Sequence, residues 1–284
     1  MRNAVDIVTT NSKGKPASIE SGSQVLNRAL DVLLAFSGSD GDLGVSEISR
    51  GLSIDKAQVY RYLLTLRNRG FVSYQQQTRR YSLGMTILQL SKSIEQNYDF
   101  KSTTMPFLEH MRDFSGETSG FAARVGQRRT HLLQVESEYE IRQRFPIGAS
   151  LPIHLGAAGI CLLSFSEYSR DIENLLAEIL GIGKQPKLVD VEKFDRSIIE
   201  TRDRGYGSSL GERVPGSRSV AAPVWSHRGD HFALVVSGPS FRFTEEKVDE
   251  VVIELKRCAS ELTVELGGHP SVPRWSVKEW WDAQ

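Results

Sequence analysis

The chain is poor in cysteine and has no excess of charge of either sign. Its two cysteines, Cys161 and Cys258, are far apart and in no zinc-ligand or CxxC spacing. A disulfide scaffold and a structural zinc are therefore excluded, and both thiols read as small buried hydrophobes. The 35 Lys plus Arg balance 35 Asp plus Glu, which excludes a polycation that coats nucleic acid indiscriminately. No apolar run approaches the roughly 20 residues that span a bilayer, and the first residues lack the apolar core of a signal peptide. No G-x-S-x-G nucleophile elbow is present, and no second His or carboxylate stands at ligand spacing from His154. These absences set the expectations of a cytoplasmic protein that is not an enzyme, with no metal, no cofactor and no membrane partner.

Charge is present locally. Residues 1–90 hold 11 Lys or Arg against 7 Asp or Glu, and from Lys56 to Arg80 there are six basic residues and no acid. That acid-free stretch lies within Val45–Gly84, whose pattern is helix, tight turn, helix and two-stranded ribbon. Asp55 is placed to cap the second helix, predicted over Lys56–Asn68 and ended by Gly70. Extended runs at 71–74 and 80–83 flank a polar loop. This is the layout of a winged helix-turn-helix, which lays its second helix in the DNA major groove. Val59, Tyr62, Leu63 and Leu66 share one face of that helix and face the core. Ala57, Gln58, Arg61 and Thr65 lie opposite, with Lys56 at the exposed start; Ser46 and Tyr60 complete the helical set. Arg and Gln pair with base edges, whereas Lys and Thr hold phosphates. Arg79 and Arg80 place charge on the wing. An exposed basic helix is often only a solvated face, but capping, turn spacing, wing and acid-free charge here agree.

The expected organisation is a flexible arm over 1–22, the winged helix over 23–84, a linker helix over 85–101, an effector domain over 102–268 and a Trp-rich tail over 269–284. Arg2, Lys13 and Lys15 of the arm are candidate phosphate contacts. A first helix over 23–36 carries Val25, Ala29, Val32, Leu33 and Phe36 at core spacing. A further helix is predicted over Thr104–Ser115, with Pro106 in its first turn. Beyond Gly120 the period changes. Strands are expected at 120–126, 130–138, 141–148, 205–210, 219–225 and 232–237. Helices are expected at 158–165, 167–180, 191–204 and 244–266. Strands in two groups, divided and closed by helices, indicate an α+β domain. The tail carries three of the four tryptophans, an apolar patch that requires cover from the chain itself or from a neighbouring subunit.

Several stretches resemble the IclR family of transcriptional regulators. They are LGVSEISRGLSIDKAQVYRYLLTLRNRGFV, YSLGMTILQL, LPIHLGAAG, and ETRDRGYGSSLGERVPGSRSVAAPVW with the later FALVVSGP. Together they cover about residues 24–267. The resemblance implies a winged helix joined by a linker helix to a GAF-like domain with a six-stranded antiparallel sheet. It also implies a double-stranded DNA operator, self-association as a homodimer or tetramer, and a small carboxylic-acid effector, aromatic or aliphatic. Carried over residue by residue, the effector set begins with the turn Gly156, Ala157 and Ala158, where N–H groups at a helix start hold an anion. Ser209, Glu212 and Ser219 come from the glycine-containing run, Val235 and Ser237 from the SGP strand, and Gln143, Leu151 and His154 flank them. Arg61 matches the basic residue of the recognition helix. Four positions depart from the family pattern: Ala57–Gln58 replaces a small Ser/Thr pair, Ile160 replaces a Lys, and Val235 replaces a hydroxyl. The function expected is a ligand-responsive regulator of a catabolic operon. The alternatives are a DNA-binding oligomer whose second domain serves only assembly, and an enzyme with a structural winged helix.

Overall fold

The computed structural model describes residues 23–38, 41–95, 100–167, 170–180 and 189–282. The arm expected over 1–22 lies outside them. Two compact units divide between Leu88 and Gln89.

In the first unit α1 (Gln24–Leu34) runs into a 3₁₀ turn at Ala35–Gly38, followed by α2 (Val45–Leu52) and α3 (Lys56–Asn68). Asp55 caps α3 as its position implies, accepting the N–H of Ala57 at 2.8 Å and of Gln58 at 3.4 Å. Glu47 turns back at the start of α2 to accept the Gly44 N–H at 2.8 Å. The wing is the antiparallel pair β1 (Val72–Gln75) and β2 (Arg80–Leu83). Val32, Phe36, Ile48, Ile54, Val59, Leu63, Val72 and Tyr81 form the core. Val25 does not join it: the residue is 64% exposed.

α4 (Met85–Glu95) spans the division, and α5 (Phe100–Ser115) opens the second unit. The helix expected to start at Thr104 thus begins four residues earlier, and Pro106 sits inside it. A proline there removes one intrahelical N–H. Buried Thr104, Leu108, Met111 and Ser115 hold this helix by its inner face.

The sheet of the second unit is antiparallel throughout, in the order β5-β4-β3-β8-β7-β6. Its strands are β3 (Thr118–Val125), β4 (Arg128–Val135), β5 (Ser150–Pro152), β6 (Gly207–Leu210), β7 (Ser217–Trp225) and β8 (His231–Pro239). The strand expected at 141–148 is absent. That stretch is irregular, with one bridge between Ile147 and His131, and β5 follows it. Pro146 lacks the N–H that a ladder needs.

Alternation along the strands sends side chains to two separate cores. Phe232, Leu234 and Val236 of β8 pack with α5 and α9 (Glu245–Glu265) in one. Ala233 and Val235 pack with α6 (Gly156–Ser164), α7 (Arg170–Leu180) and α8 (Val191–Arg204) in the other. Thr244 caps α9, its hydroxyl accepting the Lys247 N–H at 3.4 Å. The Trp-rich tail folds onto its own chain and ends in α10 (Val277–Asp282). Asp195 of α8 caps that helix, accepting from Ser276 Oγ and from the N–H groups of Val277 and Lys278. Trp275 donates to Ser166 O at 2.8 Å, and the Arg202 guanidinium stacks on its ring. Among the described residues no helix is long and apolar enough to cross a membrane.

Candidate DNA-facing helix and effector pocket

Lys56, Ala57, Tyr60, Arg61 and Thr65 are exposed along α3, and Ser46 is exposed at the start of α2. Thr65 Oγ1 donates to the Arg61 carbonyl at 3.1 Å. Two other DNA-facing candidates are committed elsewhere. Gln58 is half-buried, its side-chain oxygen accepting from Arg28 Nη1 of α1 at 2.9 Å. Arg80 donates through Nε and Nη2 to the Asp42 carbonyl and pairs with Glu47 at 2.8 Å. The Gly44 N–H and the Arg80 guanidinium together hold the Glu47 carboxyl below its usual range. The wing position of Arg80 therefore serves to tie β2 to α2. Arg79, in the turn between the strands at φ 56°, remains exposed.

The second candidate site lies on the α6 face of the sheet. Ser209 pairs with Ser219, Ser219 with Ser237, and Ser237 with Thr118. Directly opposed residues share a face, so four hydroxyl-bearing residues form one row across β6, β7, β8 and β3. Val235 lies on the same face of β8. Beside them the floor is small: Gly120, Ala122, Ala221 and Ala233. The Phe145 ring covers Gly120. Gln143 is tied here through its backbone, its carbonyl accepting from Thr118 Oγ1 at 2.6 Å. Leu151 on β5 stands opposite Arg129.

Gly156, Ala157 and Ala158 are buried in the first turn of α6. Gly156 adopts φ 77°, a conformation that favours glycine, and a Cβ on Gly159 would lie 2.0 Å from the Ile153 carbonyl oxygen. The N-terminal N–H groups of such a helix suit an anion. One is already engaged: Gly156 N–H donates to Glu212 Oε2 at 2.8 Å. Sequence reasoning left the orientation of Glu212 open; the residue is exposed, and its carboxylate reaches the first N–H of α6. His154 is half-buried; desolvation lowers its pKa, while Glu178 and Glu212 act in the opposite sense.

Two buried polar residues on the same face of the sheet escaped sequence reasoning. Arg129 and His131 of β4 are each 2% exposed. Arg129 Nη1 meets His131 Nε2 at 2.8 Å, and Nη2 donates to the Leu155 carbonyl at 3.1 Å. Desolvation, with the like charges of Arg129 and Arg213, pulls the His131 pKa down to about 3. Its ring stacks on Phe145 with centroids 4.2 Å apart. The available signal was the spacing of Arg129 and His131, which puts both on one strand face.

Elsewhere, His110, Glu254 and Cys258 bring potential ligand atoms within 4.8 Å, but Arg257 already engages both Glu254 oxygens. That guanidinium and His110 hold the Glu254 carboxyl down at about 2, and burial lifts the Cys258 thiol to about 11. This is an ion-pair cluster rather than an open ligand set. Cys161 is fully buried, which pushes its thiol well above the usual range.

The winged helix and the two-faced sheet define a DNA-binding protein with a separate α/β unit. A family model for the IclR helix-turn-helix domain matches residues 25–76, and one for the bacterial transcriptional regulator IclR C-terminal domain matches residues 93–264. The chain belongs to the IclR family of DNA-binding transcriptional regulators. It is 29% identical over 269 residues to the HTH-type transcriptional repressor AllR of Escherichia coli K-12, covering 91% of this chain and 98% of that one. The AllR of Salmonella typhimurium is 27% identical, with 92% and 97% covered. An IclR regulator from Silicibacter sp. TM1040 has the same fold, with a TM-score of 0.75, 24% identity, and 87% and 98% of the chains covered. An IclR homolog from Microbacterium hydrocarbonoxydans, solved in complex with 4-hydroxybenzoate, superimposes with a TM-score of 0.65 at 18% identity, covering 86% and 99%. These relatives are regulators, not enzymes.

Proposed function

We propose that this protein is an effector-responsive regulator of a catabolic operon whose ligand is a small carboxylic acid bound on the α6 face of the sheet. The observation that carries the reading is the juxtaposition of the buried first turn of α6 with a sheet face that carries a row of hydroxyls. Around it, Ser209, Ser219 and Ser237 supply hydroxyls and Leu151 and Val235 supply apolar wall, a combination that suits an acid with an apolar or aromatic body. The 4-hydroxybenzoate complex of the Microbacterium homolog supports the same class. Such an acid regulates by binding two arrangements of the protein unequally. The test is thermal denaturation of the full chain with aromatic and aliphatic acids, followed by operator titration with each acid that stabilises it. Acids that raise the melting temperature and change operator affinity are expected. Stabilisation by neutral or cationic compounds alone would overturn the reading.

The protein acts as a homodimer or tetramer in this reading. α1 leaves Leu26 and Leu34 58% and 62% exposed, and α4 leaves Met85 71% exposed. Apolar helix faces of this kind call for cover, and two half-sites multiply the affinity of one winged helix. Light scattering at micromolar concentration tests this; a monomer would contradict it.

A further inference from the structure

Among the described residues, Arg129 is a buried cation with no carboxylate to balance it. Among the described residues its guanidinium has two partners, His131 Nε2 and the Leu155 carbonyl, and its Nε has none. A guanidinium carries five N–H donors, so three are unspent. Burial and the like charge of Arg213 together bring its pKa down to about 10. A buried charge left without a counter-charge is strongly destabilising, and an unsatisfied buried group in a native fold calls for a specific reason.

The neighbouring histidine sharpens the reading. Arginine has only donors, so His131 Nε2 must accept, and the ring is neutral with its proton on Nδ1. That Nδ1 is buried and has no partner among the described residues. Two unspent groups thus stand on adjacent inward side chains of β4, and both are donors. What completes them is an acceptor, and beside a guanidinium the fitting acceptor is an anion. The guanidinium is also packed closely against the start of a helix, the first turn of α6, with Nη2 3.4 Å and Nε 3.1 Å from where Cβ atoms on Gly156 and Gly159 would stand.

We propose that Arg129 is the charge anchor of the effector site, with neutral His131 as a second donor. The acid group of the ligand pairs with the unspent edge of Arg129, while the Gly156 N–H stays with Glu212. The pocket thereby selects a monoanion over a neutral molecule of the same shape. This rests on the carboxylic-acid reading above and moves the recognition of charge from the helix N-terminus to β4.

The test is thermal denaturation and calorimetry of the full chain with formate, benzoate and 4-hydroxybenzoate, each beside its neutral amide, for wild type and Arg129→Met. Wild type should be stabilised by the acids and not by the amides. Arg129→Met should lose that discrimination and bind the acids at least about tenfold more weakly. Its ligand-free melting temperature should not fall, because an unbalanced buried charge has gone. If Arg129→Met does not fold, Arg129→Lys keeps the charge without the fork and is expected to weaken acid binding by a similar factor. Undiminished acid binding in the variant that folds overturns the anchor but leaves the carboxylic-acid effector standing. Stabilisation of wild type by the amides as strongly as by the acids, or by none of the acids, overturns both.

Discussion

Glu212 Oε2 accepts a hydrogen bond from the backbone N–H of Gly156 at 2.8 Å, across 56 residues of sequence. The contact fastens the 211–216 connection to the first residue of α6. In the proposed effector site it also puts a negative charge beside the acid group of the ligand, so the loop and the ligand would share one electrostatic neighbourhood. Glu212→Gln keeps the shape and removes the charge. Acid affinity is expected to rise by on the order of 1 kcal/mol, and ligand-free stability to fall by about 0.3–1 kcal/mol as the helix loses its charged cap. Calorimetry and urea unfolding on one preparation separate the two effects; unchanged acid affinity would show that Glu212 and the ligand do not meet.

The exposed face of α3 makes a different claim. Arg61→Ala should weaken specific operator binding by about 1–3 kcal/mol and relax discrimination at one base position. The fold should survive, because Val59 and Leu63 on the other side are fully buried. Fluorescence anisotropy with a selected operator and with single-base variants reads both quantities.

The two wing arginines should behave differently, although they are adjacent. Arg79→Ala is expected to weaken binding to all sequences and lower the salt slope by about 1. Arg80→Ala breaks the tie to Glu47 and to the Asp42 carbonyl instead. The ion pair is substantially exposed, so its direct contribution to stability is small. Salt titrations of the two variants should differ in slope; equal slopes would put Arg80 back on the DNA.

His131 titrates far from its ordinary range, and this sets the sign of a pH dependence. Its folded pKa is about 3, below the ordinary histidine value of about 6.5, so between those values the unfolded chain binds the extra proton. Its contribution to stability is complete above that upper value and is lost as pH falls toward the lower one, at up to about 1.4 kcal/mol per pH unit. Arg129 and Arg213 are the charges that act on it, and neither titrates in that window. Urea unfolding at several pH values should show a steeper acid loss for wild type than for His131→Gln.

Asp195 is 7% exposed and caps the terminal helix through three acceptor contacts. Asp195→Ala should cost about 1.5–3 kcal/mol, the range for hydrogen bonds to a charged group. It should also free the tail, shifting tryptophan emission to the red and opening residues 269–282 to protease. A tail that stays protected in this variant would mean the tryptophans alone hold it.

The winged helix was the most legible part, because its signals are local. Asp55 lies one residue before the helix it caps, and Val59 and Leu63 lie one turn apart. Side-chain partners were less accessible: Gln58 and Arg80 look like free DNA-facing groups until Arg28 and Glu47 arrive from elements distant in sequence. The same limit hid Arg129. In QRRTHLL it resembles the rim of a hairpin, and only the covering of β4 by α6 and β5 buries it. Residues 141–148 alternate like a strand, yet Pro146 cannot join a ladder and Phe145 finds its place over Gly120. The terminal helix was missed because its cap comes from α8.

The four hydroxyl-bearing residues in the pocket row sit at one level of the sheet, each on a separate strand and each fixed by the ladder rather than by its own side chain. A substitution at Ser219 thus exchanges one group on the proposed effector face while the register holds Ser209 and Ser237 in place. Ligand preference in such a domain can drift by single codon changes, with no insertion and no redesign of the frame. Gly159 has no such freedom, since any side chain there collides with the Ile153 carbonyl. The floor of the pocket is evolvable position by position, and the helix that roofs it is not.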